Sequence, residues 1–205
     1  MKQQMFFPLL LLSIQAVFGQ EPIFTKVITG DIVNDGGWNY AMSWADFNGD
    51  DLPDLFITNN DGDNGKQNFL YLNNGDATFE KLDEGPVVSD GGSSYSCTAA
   101  DVNGDGFTDL FVANYNENNF LYFSNGDGTF EKITDGAIVT NGGKSAGASW
   151  VDYDLDGYAD LYVANRDQPN FLYHGVGPGF FEKITTGAIV TESANSSGCA
   201  WGDYD

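Results

Sequence analysis

Three stretches set oxygen-bearing side chains at a spacing suited to a hard cation. They are Asp46-Phe47-Asn48-Gly49-Asp50-Asp51-Leu52-Pro53-Asp54, Asp101-Val102-Asn103-Gly104-Asp105-Gly106-Phe107-Thr108-Asp109 and Asp152-Tyr153-Asp154-Leu155-Asp156-Gly157-Tyr158-Ala159-Asp160. Positions 1, 3, 5 and 9 carry a carboxylate or an amide each time. Calcium takes about six to eight oxygen ligands, and alternate residues of a tight loop converge on one centre. The position 7 backbone carbonyls of Leu52, Phe107 and Tyr158 would add a ligand each. Gly106 and Gly157 at position 6 permit a sharp, left-handed bend. Asp51 stands there in the first loop, and Asp is among the few other residues that tolerate this conformation. A fourth loop opens with Asp203 and Asp205.

The competing explanation is that Asp, Asn and Gly cluster because they favour β-turns. Three loops in register argue for metal, since without a cation each gathers like charges within a few ångströms. An EF-hand loop needs an acidic ligand at position 12, where this chain has Ile57, Val112 and Val163. The calcium β-helix needs a period of about nine.

The elements that position the loops come from a repeat. Asn68-Phe69-Leu70-Tyr71, Asn119-Phe120-Leu121-Tyr122 and Asn170-Phe171-Leu172-Tyr173 recur at offsets of 51 and 51. Phe79-Glu80-Lys81, Phe130-Glu131-Lys132 and Phe181-Glu182-Lys183 follow at a constant distance. Gly30, Gly85, Gly136 and Gly187 mark the next turn, each 16 residues before Asp46, Asp101, Asp152 or Asp203. The first unit is longer by four residues within Asn60 to Gln67, which lengthens a loop and spares the strands. Each unit holds four short strand-like runs, such as Ala148 to Tyr153, Leu161 to Ala164, Asn170 to His174 and Phe181 to Ile184. Runs such as Leu55-Phe56-Ile57 are apolar without alternation, as in strands covered on both faces. The expected fold is all-β, a propeller of four-stranded blades, with strands a to d in each blade and the acidic loop between a and b. Phe24-Thr25-Lys26 aligns with strand d and would stand alone. About 3.5 blades are accounted for, fewer than a closed ring of about four to eight, so an incomplete propeller is expected.

The loop pattern, in units of this length, resembles the FG-GAP and VCBS repeats of integrin α-chain propellers and of secreted bacterial proteins. Trp150-Val151-Asp152-Tyr153-Asp154 and Asp160-Leu161-Tyr162-Val163-Ala164-Asn165 look especially like the branch that includes the cartilage acidic protein and the ASPIC/UnbV type. The resemblance implies a propeller with structural calcium over residues 21–205. The Phe-Gly and Gly-Ala-Pro segment that names the repeat is not recognisable, so the likeness to integrins is one of loop and architecture.

Composition bounds the partners. With 30 acidic against 8 basic residues, the formal net charge is -22, which excludes binding nucleic acid through its phosphates. Residues 1–19 read as a secretory signal peptide, with Lys2, an apolar stretch from Met5 to Phe18 and cleavage after Gly19. Pro8, Ser13 and Gln15 interrupt that stretch, so no membrane span is expected, and residues 20–205 form the blades. Cys97 and Cys199 fall at one repeat position two blades apart and should be free thiols. Trp44, Trp150 and Trp201 share one repeat position and read as packing between blades. His174, the only histidine, reads as a strand or hairpin-edge residue.

Because strands alternate in direction, the d–a and b–c loops share the face opposite the acidic loops. Trp38, Ser93, Lys144 and Asn195 stand at one equivalent position there, and Asn60, Tyr115 and Arg166 at another. Trp38, Tyr115, Lys144 and Arg166 are the candidate contacts for an extracellular protein or glycan, against the alternative of unselected loop variation. The expected function is a secreted, calcium-stabilised binding or adhesion module, completed by further blades, with no catalysis. The competing class is part of a secreted polysaccharide-degrading enzyme.

Overall fold

The computed structural model describes residues 26–60 and 67–203. The segment expected to be a signal peptide, Phe24, Thr25, Asp205 and most of the first unit's extra loop lie outside them, and Lys26 is not in a strand. The first blade is the antiparallel sheet β1 (Asn39–Ala45), β2 (Asp54–Asn59), β3 (Phe69–Asn73) and β4 (Phe79–Lys81), in that order. The second is β5 (Ser94–Ala100), β6 (Asp109–Glu117), β7 (Phe120–Ser124) and β8 (Phe130–Ile133). The third has β9 (Gly143–Val151) and β10 (Asp160–Asn165), then β11 (Gln168–Pro169) within its b–c loop, then β12 (Phe171–Gly177) and β13 (Phe180–Ile184). β14 (Ser193–Ala194) opens the next unit and pairs with β11. The fold is all-β, three four-stranded blades of an incomplete propeller.

Strand b explains the stacking. Leu110 and Val112 of β6 point into a core shared with Phe56 and Leu70 of the first blade. Their neighbours Phe111 and Ala113 point into a second core with Leu161 and Val163 of the third. A run apolar at every position is therefore buried on both sides, as its lack of alternation predicts. Each of the Leu, Val and Phe side chains contributes about 1.5–3 kcal/mol by leaving water. Tyr115 and Glu117 of β6 also pair with Lys144 and Gly143 of β9, so strand a of the third blade starts earlier than its apolar run suggests.

The repeated glycines do more than turn the chain. Each precedes a one-turn helix: α1 (Asp31–Asn34), α2 (Pro86–Ser89), α3 (Ala137–Thr140) and α4 (Ala188–Thr191). Gly136, at φ 98 and ψ 155, occupies a region that is essentially glycine-only. Among the described residues, no helix is long and apolar enough to cross a membrane.

Trp150 packs between Phe111 of the second blade and Phe181 of its own, at ring separations of 6.1 and 5.5 Å. Trp201 meets Tyr162 of the third blade edge-on at 6.1 Å. Trp44 departs from this role: it contacts Phe79 of its own blade and is 52% exposed, because among the described residues no blade precedes it. Both cysteines are free. Burial pushes the Cys97 thiol up to about 12.

Candidate metal centres

Each acidic loop is wound around its first aspartate. Asp46 accepts the N–H groups of Gly49 at 2.7 Å and Asp51 at 2.8 Å. Asp101 accepts those of Gly104 and Gly106 at 2.8 and 2.9 Å, and Asp152 those of Asp156 and Gly157 at 3.1 and 3.0 Å. At position 5, Asp50, Asp105 and Asp156 accept the N–H of Leu52, Phe107 and Tyr158 at 2.8–2.9 Å. Position 6 is left-handed throughout, at φ 65 for Asp51, 92 for Gly106 and 94 for Gly157. Asp51 thus takes the conformation expected of it. Position 4 is left-handed too, which the sequence reading missed: Gly49 and Gly104 suit it, whereas Leu155 is held at φ 61.

The ninth residue ties each loop to the sheet. Asp54, Asp109 and Asp160 start strand b and are fully buried. Asp109 accepts the Val102 N–H on one oxygen and the Ser124 N–H on the other, both at 2.9 Å. Asp54 spans Phe47 and Asn73 in the same way, and Asp160 spans Tyr153 and Gly175. Burial pushes the Asp109 carboxyl up to about 6, against the pull of those N–H groups, and raises Asp54. A buried carboxylate without a cation favours its proton, and a bound cation would favour the ionised form.

Oxygens of Asp152, Asp154 and Asp160 lie within 4.8 Å of one another, and so do ligand atoms of Asp154, Asp156 and His174. In the third loop the carboxylates at positions 1, 3 and 5 with a buried one at position 9 make an oxygen donor set that fits a hard cation, whereas the first two loops carry the amides Asn48 and Asn103 at position 3. Asp203 is exposed and outside any regular element.

His174 sits in β12, as the sequence suggests, but faces the third loop. Its Nδ1 lies 3.0 Å from Asp160 and 3.6 Å from Asp154, and the Asp160 contact leads the shift of its pKa above the ordinary value. The equivalent Leu72 and Phe123 have no charge to offer their loops. The first two loops are covered from the next blade: Gly128 N–H donates to Phe47 O at 3.2 Å and Gly179 N–H to Val102 O at 2.8 Å. A Cβ on Gly179 would stand 2.8 Å from the Phe123 ring, so only glycine approaches this closely.

On the opposite face, Tyr40 and Tyr95 stack at 4.3 Å, Tyr95 meets Tyr115 at 5.2 Å, and Arg166 lies over Tyr95 at 5.3 Å. Lys144 is 3.4 Å from Asp167. The structure therefore groups Tyr115 and Arg166 around Tyr95, with Lys144 paired to Tyr115 along the backbone. Trp38 is 66% exposed, held by its N–H to Asn59 at 3.1 Å, and no ring contact joins it to that stack among the described residues. Tyr40 and Tyr95 escaped the sequence reading, although both lie four residues before the position of Trp44 and Ala99.

Blades with acidic loops between strands a and b define a repeat β-propeller, whose third loop gathers groups that could hold a cation. A model of the FG-GAP-like repeat matches residues 46–112, 101–163 and 152–205, each match beginning on the first aspartate of a loop. The protein belongs to the FG-GAP-like repeat family. No curated protein matches the chain.

Proposed function

We propose that the protein is a secreted binding module, without enzymatic activity, whose loops hold calcium and whose opposite face meets an extracellular protein or glycan. The supporting observation is the separation of roles between faces. Acidic groups that suit a hard cation lie at the a–b turns, while Tyr40, Tyr95, Tyr115 and Arg166 group at the strand ends beside the d–a and b–c loops, and Trp38 stands apart in the first d–a loop. Calcium would be held by Asp46, Asn48, Asp50 and Asp54 and their equivalents in the other two loops, where it would offset like-charge repulsion and lock the turn between strands a and b. Its role there is structural.

Ligand capture, screened on a glycan array and by pull-down from extracellular material, is the test. Trp38→Ala, Tyr115→Ala and Arg166→Ala should weaken capture of the ligand found, whereas Asp76→Ala and Asp127→Ala on the c–d turns should not. Equal loss from both sets would remove the face assignment.

A further inference from the structure

The first two blades each contain a cluster that the third leaves without its acidic member. In the first, the Tyr71 hydroxyl donates to Asp35 Oδ2 at 2.7 Å and Lys81 Nζ lies 2.8 Å from the same oxygen. In the second, Tyr122 and Lys132 meet Asp90 Oδ2 at 3.1 and 2.8 Å. Each lysine also lies over a strand c phenylalanine, Lys81 on Phe69 at 4.8 Å and Lys132 on Phe120 at 4.0 Å. The aspartate always follows the one-turn helix, its N–H bonded to the first helical carbonyl.

The third blade repeats every part but that one. Lys183 lies over Phe171 at 3.7 Å, and Tyr173 pairs with Lys183 across β12 and β13. The residue after α3 is Asn141, with the same backbone bond, to Ala137. Among the described residues no carboxylate pairs with Lys183, and burial lowers its pKa from the ordinary value. Tyr173 is fully buried, and its hydroxyl has no hydrogen-bond partner. The Asn141 side chain stands against that phenol and tempers the rise that burial causes. An open pocket of about 580 Å³ borders Asn141, Lys183 and Phe171, with Thr140, Gln168 and Thr185 around them.

We propose that this pocket on the third blade binds the carboxylate of a small hydrophilic ligand, which supplies to Lys183 from outside the acceptor that Asp35 and Asp90 supply to their lysines from within. Three observations converge. Lys183 is left without the carboxylate that Lys81 and Lys132 hold. Asn141 offers N–H donors where an aspartate would repel an anion. The pocket is lined by Lys183 and Asn141, and its amides and hydroxyls suit a polyhydroxylated acid such as a uronic acid. Against a net charge of -22 the anion must be held by short contacts, and the first two blades hold a carboxylate in this setting. The inference refines the binding reading, because Asn141 and Gln168 belong to the d–a and b–c loops. It rests on other residues, so failure of the Trp38, Tyr115 and Arg166 test leaves it standing, and the reverse holds.

The experiment is an amide NMR titration of the full chain in calcium, using sodium acetate, methyl β-D-glucuronide and the neutral methyl β-D-glucoside. Both carboxylates should give saturable shifts at Asn141, Gln168 and Lys183, and the glucoside should not. Glucuronide binding at least tenfold tighter than acetate would assign a sugar acid, and equal binding the carboxylate alone. Asn141→Asp refills the cluster from within, and Lys183→Met keeps the stem without the charge; each should weaken both carboxylates at least tenfold. Absence of saturable shifts, equal shifts with the glucoside, or unchanged binding in both variants would overturn the proposal.

Discussion

In the second acidic loop, Asn103 at position 3 donates its amide to Asp105 at 2.9 Å, and Gly179 of the third blade closes over the loop through Val102. In the third loop, Asp154 replaces that amide donor, Leu155 replaces a glycine at a left-handed position, and Tyr153 at position 2 is 40% exposed where Val102 is buried. His174 lies against Asp160 and Asp154, which the equivalent Phe123 cannot do for the second loop. Identical oxygen spacing thus coexists with different internal compensation. The second loop is held by amides and a neighbouring blade, whereas the third leans more on charge and so has more to gain from a cation.

The largest expected effects should test what the two loops share. Asp109→Ala and Asp160→Ala each orphan two backbone N–H groups on a buried carboxylate, at about 1–3 kcal/mol apiece. Chemical denaturation should show losses of several kcal/mol in both, with or without calcium. A loss below about 1 kcal/mol in either would mean that the ninth residue does not staple the loop.

Calcium removal comes next and should separate the loops. Binding only the folded state is worth roughly 2.7 kcal/mol per site at a hundredfold excess over Kd. Extracellular sites often need millimolar calcium, so the realised gain should be smaller, and magnesium should substitute poorly because it demands a tighter octahedral shell. On adding EGTA, hydrogen exchange at Asp156 and Gly157 should accelerate more than at Gly104 and Gly106. Equal acceleration would erase the distinction, and unchanged exchange with an unchanged melting temperature would make the loops ordinary turns.

Leu155→Gly should raise stability by about 0.5–1 kcal/mol, since the left-handed cost of about 1–2 kcal/mol exceeds the entropy that glycine loses. The corresponding Gly104→Leu should be destabilising by a similar amount in thermal melts.

The smallest effect concerns the blades rather than the loops. Asn141→Asp should add about 0.2–1 kcal/mol by rebuilding the cluster of the first two blades. Burial works to raise the Asp35 carboxyl, but the hydrogen bonds from Lys81 and Tyr71 outweigh it and hold its pKa below the ordinary 3.8. A depressed folded pKa contributes stability above the unfolded value that is lost as pH falls through the folded one. The gain from Asn141→Asp should therefore be present at pH 7 and gone in the acid range below about pH 3. A gain that persists there would point to packing and not to the ion pair.

The oxygen spacing, the strand count, the free cysteines and the two-sided burial of strand b were legible because each follows from local chemistry repeated in register. Asn141 was legible in principle, as the odd member of the series Asp35, Asp90, Asn141 and Glu192, five residues after each repeat glycine. Its meaning was not, because nothing in the linear order says that this residue meets a tyrosine and a lysine more than thirty positions away. The one-turn helices were hidden behind glycines that read equally well as turns.

By itself, then, the chain's order determined which residues repeat and what chemistry each unit can offer, since periodicity and donor type are local properties. Only tertiary structure decided which copies of a residue are equivalent in fact: Trp44 lies exposed while Trp150 is packed, and His174 meets carboxylates that the equivalent Leu72 and Phe123 have no charge to pair with. The reason is physical. A blade's environment is set by its neighbours on either side, and those contacts join residues about fifty positions apart that no local pattern encodes.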